Sequence, residues 1–214
     1  MPETTTSNKR LPRVPTQQRS RERFEFILDC AEQLLAKGER EELSVYDVAE
    51  KAGLPAQSVY RLFPSAMAIS HALVQRYLGM ITESAAVADF SGCDSWQLAM
   101  EMSLKLSCDF YRQHPQAMEL ILGSGASRET SAADRASITQ LAKNGVQLLN
   151  QAGLTNTSKE MIRHMEIVID IADAIWSQSY HHHKDITPFY ERESIRAAVS
   201  YLGLYLPNHP IEKN

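Results

Sequence analysis

The sequence predicts an all-helical protein, with a small three-helix domain containing a helix-turn-helix at the N-terminus and a larger helical body after it. Apolar residues recur at spacings of three and four along most of the chain, which is typical of amphipathic helices. No segment alternates apolar and polar residues between turn signals, as strands usually do. With 214 residues, of which 43% are hydrophobic and 22% charged, the chain is long enough to bury a substantial core.

Charge is distributed unevenly along the chain. The formal net charge is −4, which excludes a protein coated in nucleic acid. The first 23 residues nevertheless contain six basic and two acidic residues. Residues 1–19 are also rich in Thr, Ser, Pro and Gln and nearly free of large apolar groups, so they cannot offset the entropy cost of ordering. We therefore expect residues 1–19 to form a flexible basic arm.

Cysteine usage and hydropathy indicate a soluble, intracellular protein. The three cysteines are too scattered for a disulfide framework or for a zinc or redox motif. The polar N-terminus lacks a signal-peptide pattern, and no apolar run approaches the ~18 residues that a membrane span requires. We therefore expect a cytoplasmic location and no membrane partner.

The first predicted helix belongs to the small N-terminal domain. It begins near Ser20 and presents apolar residues at helical spacing from Phe24 to Leu35. Gly38 then supplies a C-terminal stop.

The second and third helices are short and closely spaced. Ser44 and Asp47 form a capping box that starts the second helix. Gly53 ends this helix at a point where the turn needs a positive φ. Pro55 suits the first turn of the third helix, which ends before Pro64. Two short helices joined by a glycine turn form a helix-turn-helix, whose second helix can enter the DNA major groove.

Beyond Ser65 the periodicity predicts a larger helical body. Six further helices are expected, at about 65–88, 95–113, 115–122, 131–152, 158–181 and 188–206. The chain is therefore divided into three parts. These are the arm (1–19), the helix-turn-helix domain (20–64) and the helical body (65–214).

The third helix leaves a polar face outside the small core. With Val59 and Leu62 facing inward, the outward residues are Ala56, Gln57, Ser58, Tyr60 and Arg61. Glutamine can pair with adenine through two hydrogen bonds, alanine can contact a thymine methyl group, and tyrosine and arginine suit phosphate oxygens. The pattern favours DNA recognition, although short helical hairpins also occur in all-helical proteins that bind no DNA.

The run from Leu43 to Ser65 resembles the DNA-binding domain of TetR-type transcriptional regulators. The resemblance covers about residues 20–75 and rests on motifs in the family's order and spacing: Asp47-Val48-Ala49, Ala52-Gly53-Leu54, Tyr60-Arg61-Leu62-Phe63 and Pro64-Ser65. It implies the all-helical TetR fold and a homodimeric, usually repressive regulator. It also implies that Ser44 contacts phosphate, that Tyr46 and residues 56–58 lie at bases or backbone, and that Tyr60 contacts the DNA backbone.

Three positions depart from the common family pattern. Gln57, Leu62 and Ala66 stand where the family often has Gly, His and Lys. Without that lysine a common phosphate contact at the start of the fourth helix is lost, so affinity would depend more on the basic N-terminus. Arginine can neutralise phosphates or enter a minor groove, although a solvated tail is the alternative. The candidate arginines are Arg19, Arg21 and Arg23.

The last two predicted helices suit a four-helix interface between two copies of the chain, as in the family it resembles. Consecutive Ile167, Val168 and Ile169 spread around the first of them, so we expect it to be buried on two sides. The candidate interface residues are Ile171, Ile175, Ile195, Val199 and Leu202. Dimerisation would place two recognition helices one DNA turn apart, about 34 Å, on a near-palindromic operator.

The resemblance also implies an effector pocket in the body, and the composition favours an apolar one. Six of the eight methionines lie beyond residue 76, and thioethers adapt to irregular cavities, although ordinary core packing is the alternative for each. Polar groups on these helices could orient an effector. The candidate pocket residues are Met80, Met102, Arg112, Met118, Met165, Asp173 and Trp176.

No cofactor or metal is expected. Adjacent residues on a helix point about 100° apart, so histidines 181–183 favour a helix-end cluster over a metal site. Phosphate-binding loops, zinc-protease motifs and nucleophile elbows are lacking, so an enzyme is not expected. The sequence predicts a DNA-binding regulator, commonly a repressor, released from its operator when a small apolar effector shifts the helix at about 65–88. A helical ligand-binding or scaffold protein without DNA contact is the alternative.

Overall fold

A computed structural model of the chain describes residues 11–36, 43–90, 92–123, 132–151 and 159–207. These ranges contain nine helices and no strand, which confirms the all-helical fold class. The helices are α1 (Gln18–Ala36), α2 (Val45–Ala52), α3 (Ala56–Leu62), α4 (Ala66–Val87), α5 (Trp96–Gln113), α6 (Pro115–Leu122), α7 (Ala132–Gln151), α8 (Lys159–His183) and α9 (Pro188–Leu202). None of the helices so described is both long and apolar enough to cross a bilayer.

The chain divides into two compact units, Met1–Arg76 and Tyr77–Asn214. The division falls inside α4, whereas the sequence placed it at the Pro64-Ser65 break. A proline marks where a helix must begin or end, but it does not mark where packing changes, and the first turns of α4 belong to the smaller unit.

Part of the N-terminal arm that the sequence predicts belongs to the folded smaller unit. Gln18 and Arg19 are already part of α1. The backbone N–H of Arg13 donates to the carbonyl of Leu62, with N and O 2.8 Å apart. Residues 11–19 are therefore held to the smaller unit, which corrects their assignment to a flexible arm. Residues 1–10 lie outside the described ranges.

The helix-turn-helix forms through local capping as its sequence predicts. Ser44 Oγ accepts from the Asp47 N–H at 3.2 Å at the start of α2. Gly53 ends α2 with φ +62°, and a Cβ at this position would meet nothing within 4 Å. Glycine is therefore required here for its backbone conformation rather than for space.

The core of the smaller unit is assembled from one face of each helix. Phe24 of α1 stacks on Phe63, with ring centroids 4.5 Å apart. Ile27, Val48 and Val59 are fully buried around them. Three fully buried branched side chains and two stacked rings fix how α1, α2 and α3 meet, and they leave the opposite face of α3 to solvent.

Arg76 ties α4 to α1. Its guanidinium nitrogens lie 2.6 Å from Glu25 Oε2, 2.8 Å from Asp29 Oδ1 and 3.4 Å from Glu32 Oε2. Arg76 Nη2 also donates to the Glu25 carbonyl oxygen at 3.1 Å. The three carboxylates lie on one face of α1, at spacings of four and three, so a single side chain collects them all.

In the larger unit, α5, α6, α7, α8 and α9 pack around buried aromatic residues. Trp176 of α8 donates to Ser194 Oγ of α9 at 2.9 Å, and its ring meets that of Tyr111 edge to face at 5.8 Å. Trp96 is almost fully buried at the start of α5 and donates to the Pro207 carbonyl at 2.8 Å. These contacts fix the positions of α5, α8 and α9 relative to one another.

Replacing Arg76 with Met is expected to destabilise the chain by about 1 to 2 kcal/mol. Methionine retains an apolar stem, whereas the charge-assisted hydrogen bonds to α1 are lost and three like charges remain on one helix face. Urea denaturation followed by circular dichroism, at a fixed protein concentration, measures the change in unfolding free energy.

The matched control is Lys105→Met, which removes an exposed ion pair with Glu101 four residues earlier in the same helix. Its expected cost is much smaller, because an exposed ion pair contributes little to stability. Equal costs for the two variants would contradict a structural role for the Arg76 network.

Candidate nucleic-acid interface and ligand cavity

The outer face of α3 carries the residues that the sequence assigned to DNA. Gln57, Tyr60 and Arg61 are exposed, and Ala56 and Ser58 are partly exposed. The buried residues of α3 are Val59 and Leu62. The helix thus presents an amide, hydroxyls, one cation and no carboxylate to solvent, a combination that suits base edges and phosphates.

Two tyrosines form a pair beside this face. Tyr46 at the start of α2 is 66% exposed and Tyr60 is 37% exposed, and their rings meet edge to face with centroids 5.7 Å apart. Desolvation, the nearby Tyr46 and a hydrogen bond between the two phenols raise the pKa of Tyr60. The raised pKa keeps the Tyr60 phenol neutral near pH 7, where it can donate a hydrogen bond to a phosphate oxygen.

Ser44 is engaged within its own helix cap. Besides accepting from the Asp47 N–H, its hydroxyl donates to Asp47 Oδ2 at 2.6 Å. The hydroxyl proton is already used, so a phosphate at this point would have to displace Asp47 or meet backbone N–H groups at the start of α2.

The three candidate arginines lie in the first half of α1. Arg19 and Arg21 are exposed and Arg23 is partly exposed. Residues four apart share a helix face and residues two apart do not. Arg19 and Arg23 can therefore act on one side of α1, whereas Arg21 points elsewhere.

The larger unit contains a cavity between α4, α5, α7 and α8. The volume of this cavity is about 90 Å³. Within the described ranges sixteen residues line it, of which thirteen are apolar or glycine, three are serine and none is charged. The lining residues are Ile81, Ser84, Ala85, Phe90, Met100, Ser103, Leu104, Leu106, Ser107, Phe110, Leu141, Gly145, Leu148, Met165, Val168 and Ile169.

Of the seven pocket candidates from the sequence, the structure brings Met165 to this cavity. Arg112 instead pairs with Asp109 and Glu191 and donates to the Ile186 carbonyl at 2.9 Å, which ties α5 to the start of α9. The other five candidates, Met80, Met102, Met118, Asp173 and Trp176, lie outside the lining.

Sequence reasoning missed most of the lining. Ser103, Ser107 and Phe110 follow one another on α5 at spacings of four and three, and Gly145 lies in the interior of α7. Small polar residues inside an apolar helical stripe, together with a glycine in a helix interior, are the signal that would have indicated this cavity.

Asp173 is a partly buried carboxyl on α8. Burial and then the charge of Asp170 raise its pKa from 3.8 to about 7. Asp170 itself lies 3.7 Å from Arg135 of α7. On the α5 side, burial and then Asp173 raise the pKa of Tyr111 well above its ordinary value. Asp173 is thus a group that the fold keeps largely protonated below neutral pH.

The candidate dimer residues lie on α8 and α9. Ile171, Ile175, Ile195 and Val199 all retain partial exposure. Leu202 is fully buried inside its own chain and has no surface to offer a partner, which corrects its assignment to the interface. Histidines 181–183 are the exposed last turn of α8.

Comparison with known proteins identifies the fold. No protein-family model and no curated protein matches the chain. A TetR transcriptional regulator from Rhodococcus sp. RHA1 is 18% identical, with a TM-score of 0.68 over 88% of this chain and 100% of that one. A TetR-family transcriptional regulator from Streptomyces coelicolor is 22% identical, with a TM-score of 0.66 over 86% of this chain and 99% of that one. The chain has the fold of TetR-type regulators, as its sequence predicts.

The raised pKa of Asp173 predicts how stability changes with pH. Between pH 4 and 7 the folded chain keeps a proton on Asp173 that the unfolded chain has lost. The contribution of Asp173 to the free energy of unfolding therefore falls as pH rises from about 4 to about 7. Asp173→Asn cannot ionise and is expected to raise the unfolding free energy at pH 8 by about 1 to 3 kcal/mol.

Urea denaturation at several pH values from 5 to 8 measures the difference between wild type and variant. Asp94→Asn, which neutralises an exposed carboxylate, is the control and should run parallel to wild type. A difference between Asp173→Asn and wild type that does not grow with pH would contradict the prediction.

Proposed function

We propose that this chain is a sequence-specific DNA-binding transcriptional regulator, acting in the cytoplasm as a homodimer and catalysing no reaction. The observation that carries the proposal is the carboxylate-free outer face of α3, presented by a helix-turn-helix in a chain with the TetR-type fold. The second helix of such a hairpin enters the major groove, where side chains meet base edges.

Gln57 is the proposed base reader. Its amide is exposed at the second position of α3, and glutamine makes two hydrogen bonds to adenine N6 and N7 in the major groove. Ala56 and Ser58 flank it, one suited to a thymine methyl group and the other to a base or a phosphate. The start of α3 therefore specifies bases, and the end of α3 fixes position.

Tyr60, Tyr46 and Arg61 are the proposed phosphate contacts. The edge-to-face contact between the two rings restrains both side chains before DNA arrives, so less side-chain entropy is lost on binding. Arg61 adds a cation that releases a counterion from the duplex. Ser44 acts by orienting α2, since its hydroxyl proton already serves Asp47. Arg19 and Arg23 are proposed as further phosphate contacts from α1.

We propose that two chains associate through α8 and α9. Ile171 and Ile175 on α8, with Ile195 and Val199 on α9, are apolar side chains that one chain leaves partly exposed. In an isologous interface the same patch of each chain packs against its copy on the other chain. The two recognition helices then lie about 34 Å apart. The corresponding operator is a near-palindrome.

Effector release is proposed to act through α4. Ile81, Ser84 and Ala85, near its C-terminal end, line the cavity, and Arg76, earlier in the same helix, is bonded to α1. A small, largely apolar ligand that displaces the end of α4 would disturb the unit that carries α3. The regulator is then a repressor released by its ligand, provided that the ligand binds the DNA-bound and free arrangements differently.

Selection of bound DNA from a random pool tests the proposal directly. The expected result is enrichment of a near-palindrome whose half-sites are separated by about one helical turn. A pool without any enriched site would exclude the regulator and favour a helical ligand-binding protein that makes no DNA contact.

Gln57→Ala is expected to relax base preference at one position in each half-site, at a cost of about 1 to 3 kcal/mol against the preferred base. The matched variant is Arg61→Gln, which should weaken binding to all sequences alike and reduce the salt slope by about 1 for each subunit. Unchanged specificity in Gln57→Ala would remove it as the base reader.

Dimerisation is tested separately by Ile175→Arg, which places a cation in the proposed interface. Sedimentation at micromolar concentration is expected to show a dimer for wild type and a monomer for the variant, with operator binding weakened because the two half-sites no longer bind together. Val87→Arg, at a side chain that is 85% exposed on α4, is the control and should remain dimeric. A wild-type monomer would overturn the interface.

A further inference from the structure

We propose that the cavity between α4, α5, α7 and α8 binds an uncharged lipophilic molecule with one hydroxyl or carbonyl end, of the chemical class of medium-chain alcohols and ketones. Its role as the effector rests on the function proposed above, whereas binding itself does not. Four features of the described lining lead to this class: its lack of charged side chains, its hydroxyl groups, its adjustable wall and its exposed edge.

The lining excludes ionised ligands. Among the residues that the structure describes, no Asp, Glu, Lys, Arg or His borders the cavity, so neither a carboxylate nor an ammonium group would find a countercharge there. Transfer of an unpaired ion from water to such surroundings is far costlier than transfer of a neutral polar group. The apolar side chains contribute hydrophobic binding that grows with each methylene of the ligand.

Three hydroxyl groups provide the polar anchor. Ser107 Oγ donates to the Ser103 carbonyl at 3.1 Å, which leaves its oxygen lone pairs able to accept. The side-chain hydroxyls of Ser84 and Ser103 have no hydrogen-bond partner within the part of the chain that the structure describes. Hydroxyls both donate and accept, so they suit an alcohol or a carbonyl oxygen equally.

Gly145 and Met165 form an adjustable wall. A Cβ built on Gly145 would lie 3.1 Å from both Cγ and Sδ of Met165, which is closer than side chains normally pack. Met165 therefore rests directly on the bare backbone of α7. Because methionine has three rotatable bonds, this side chain can move to enlarge a cavity that is otherwise small.

The cavity reaches the surface between α4 and α5. Of its lining residues, Ser84 on α4 and Leu106 on α5 are exposed. A ligand entering at this edge passes a hydroxyl on one helix and an apolar side chain on the other. A ligand with a polar end and an alkyl chain matches both.

The first experiment compares probes of equal length and different charge. Titration calorimetry of the full-length protein with n-octanol, octanoate and octylammonium at pH 7.5 is expected to show saturable binding of octanol and more than about tenfold weaker binding of both ions. Hexanol should bind more weakly than octanol, because two methylenes are lost. Octanoate or octylammonium binding as tightly as octanol would overturn the proposed class.

The second experiment places the probe in this cavity. Gly145→Ala forces Met165 to shift and is expected to reduce octanol affinity at least about tenfold, whereas Gly79→Ala, whose Cβ would meet nothing within 4 Å, should bind octanol as wild type does. In a Met165→Ala background the Gly145→Ala change should have no effect, since the colliding side chain is gone. Ser103→Ala should lower affinity about threefold to tenfold. Octanol binding unaffected by Gly145→Ala would overturn the assigned site.

The outcomes separate this proposal from the regulatory one. In one outcome the protein binds octanol saturably, loses this binding in Gly145→Ala and enriches no DNA site. This outcome would support the proposed ligand class and refute the proposed DNA-binding function. Enrichment of a DNA site by a protein that binds none of the three probes would refute the ligand class and leave the regulator standing.

Discussion

The attachment of α4 to α1 through Arg76 is the interaction on which the proposed mechanism depends. One guanidinium satisfies three carboxylates and a backbone carbonyl, so the N-terminal half of α4 cannot turn about its axis without breaking several charge-assisted hydrogen bonds. The same helix continues through residues 81–85, which border the cavity. The proposed release of DNA requires that a displacement at the cavity end of α4 be transmitted along this helix to the contacts of Arg76.

The cavity sets a different constraint, which comes from packing rather than from charge. An apolar void in a protein interior lacks the dispersion contacts of a filled core, and its lining gains them when a ligand of matching shape enters. Met165 over Gly145 is a contact that can change at low cost, whereas Trp176 and Tyr111 nearby are fixed by a hydrogen bond and by ring packing. The contact between Met165 and Gly145 is therefore an adaptable part of the cavity wall.

Features that depend on a few neighbouring residues were predictable from the sequence. The ends of α2 follow from Ser44 and Gly53, and the start of α9 follows from Pro188, because caps act through local backbone geometry. The outer face of α3 follows from the spacing of Val59 and Leu62. Each of these signals is complete within one or two helical turns, so packing elsewhere does not alter it.

Features that depend on how helices pack were not predictable in the same way. Arg76 meets partners 44 to 51 residues away, and no local pattern pairs them. Leu202 has the apolar spacing of an interface residue, yet its side of α9 is covered by the chain itself. Methionine content indicated an apolar body correctly but did not locate the cavity, because a flexible thioether fills core gaps as readily as it lines a pocket.

The near-neutral charge of the smaller unit is compatible with DNA recognition once the position of each charge is considered. Residues 1–76 contain eleven basic and ten acidic residues, a balance that provides little nonspecific attraction. Three of the acids, Glu25, Asp29 and Glu32, are gathered around Arg76 on one face of α1, and the seven residues of α3 include Arg61 and no acid. Under the proposed function, a unit arranged in this way would meet phosphate with a few placed groups. Its affinity would then come from hydrogen bonds and from the presence of two such units in a dimer more than from overall charge. Selectivity then benefits, because weak attraction to every duplex leaves the contacts at the start of α3 to decide where the protein stays.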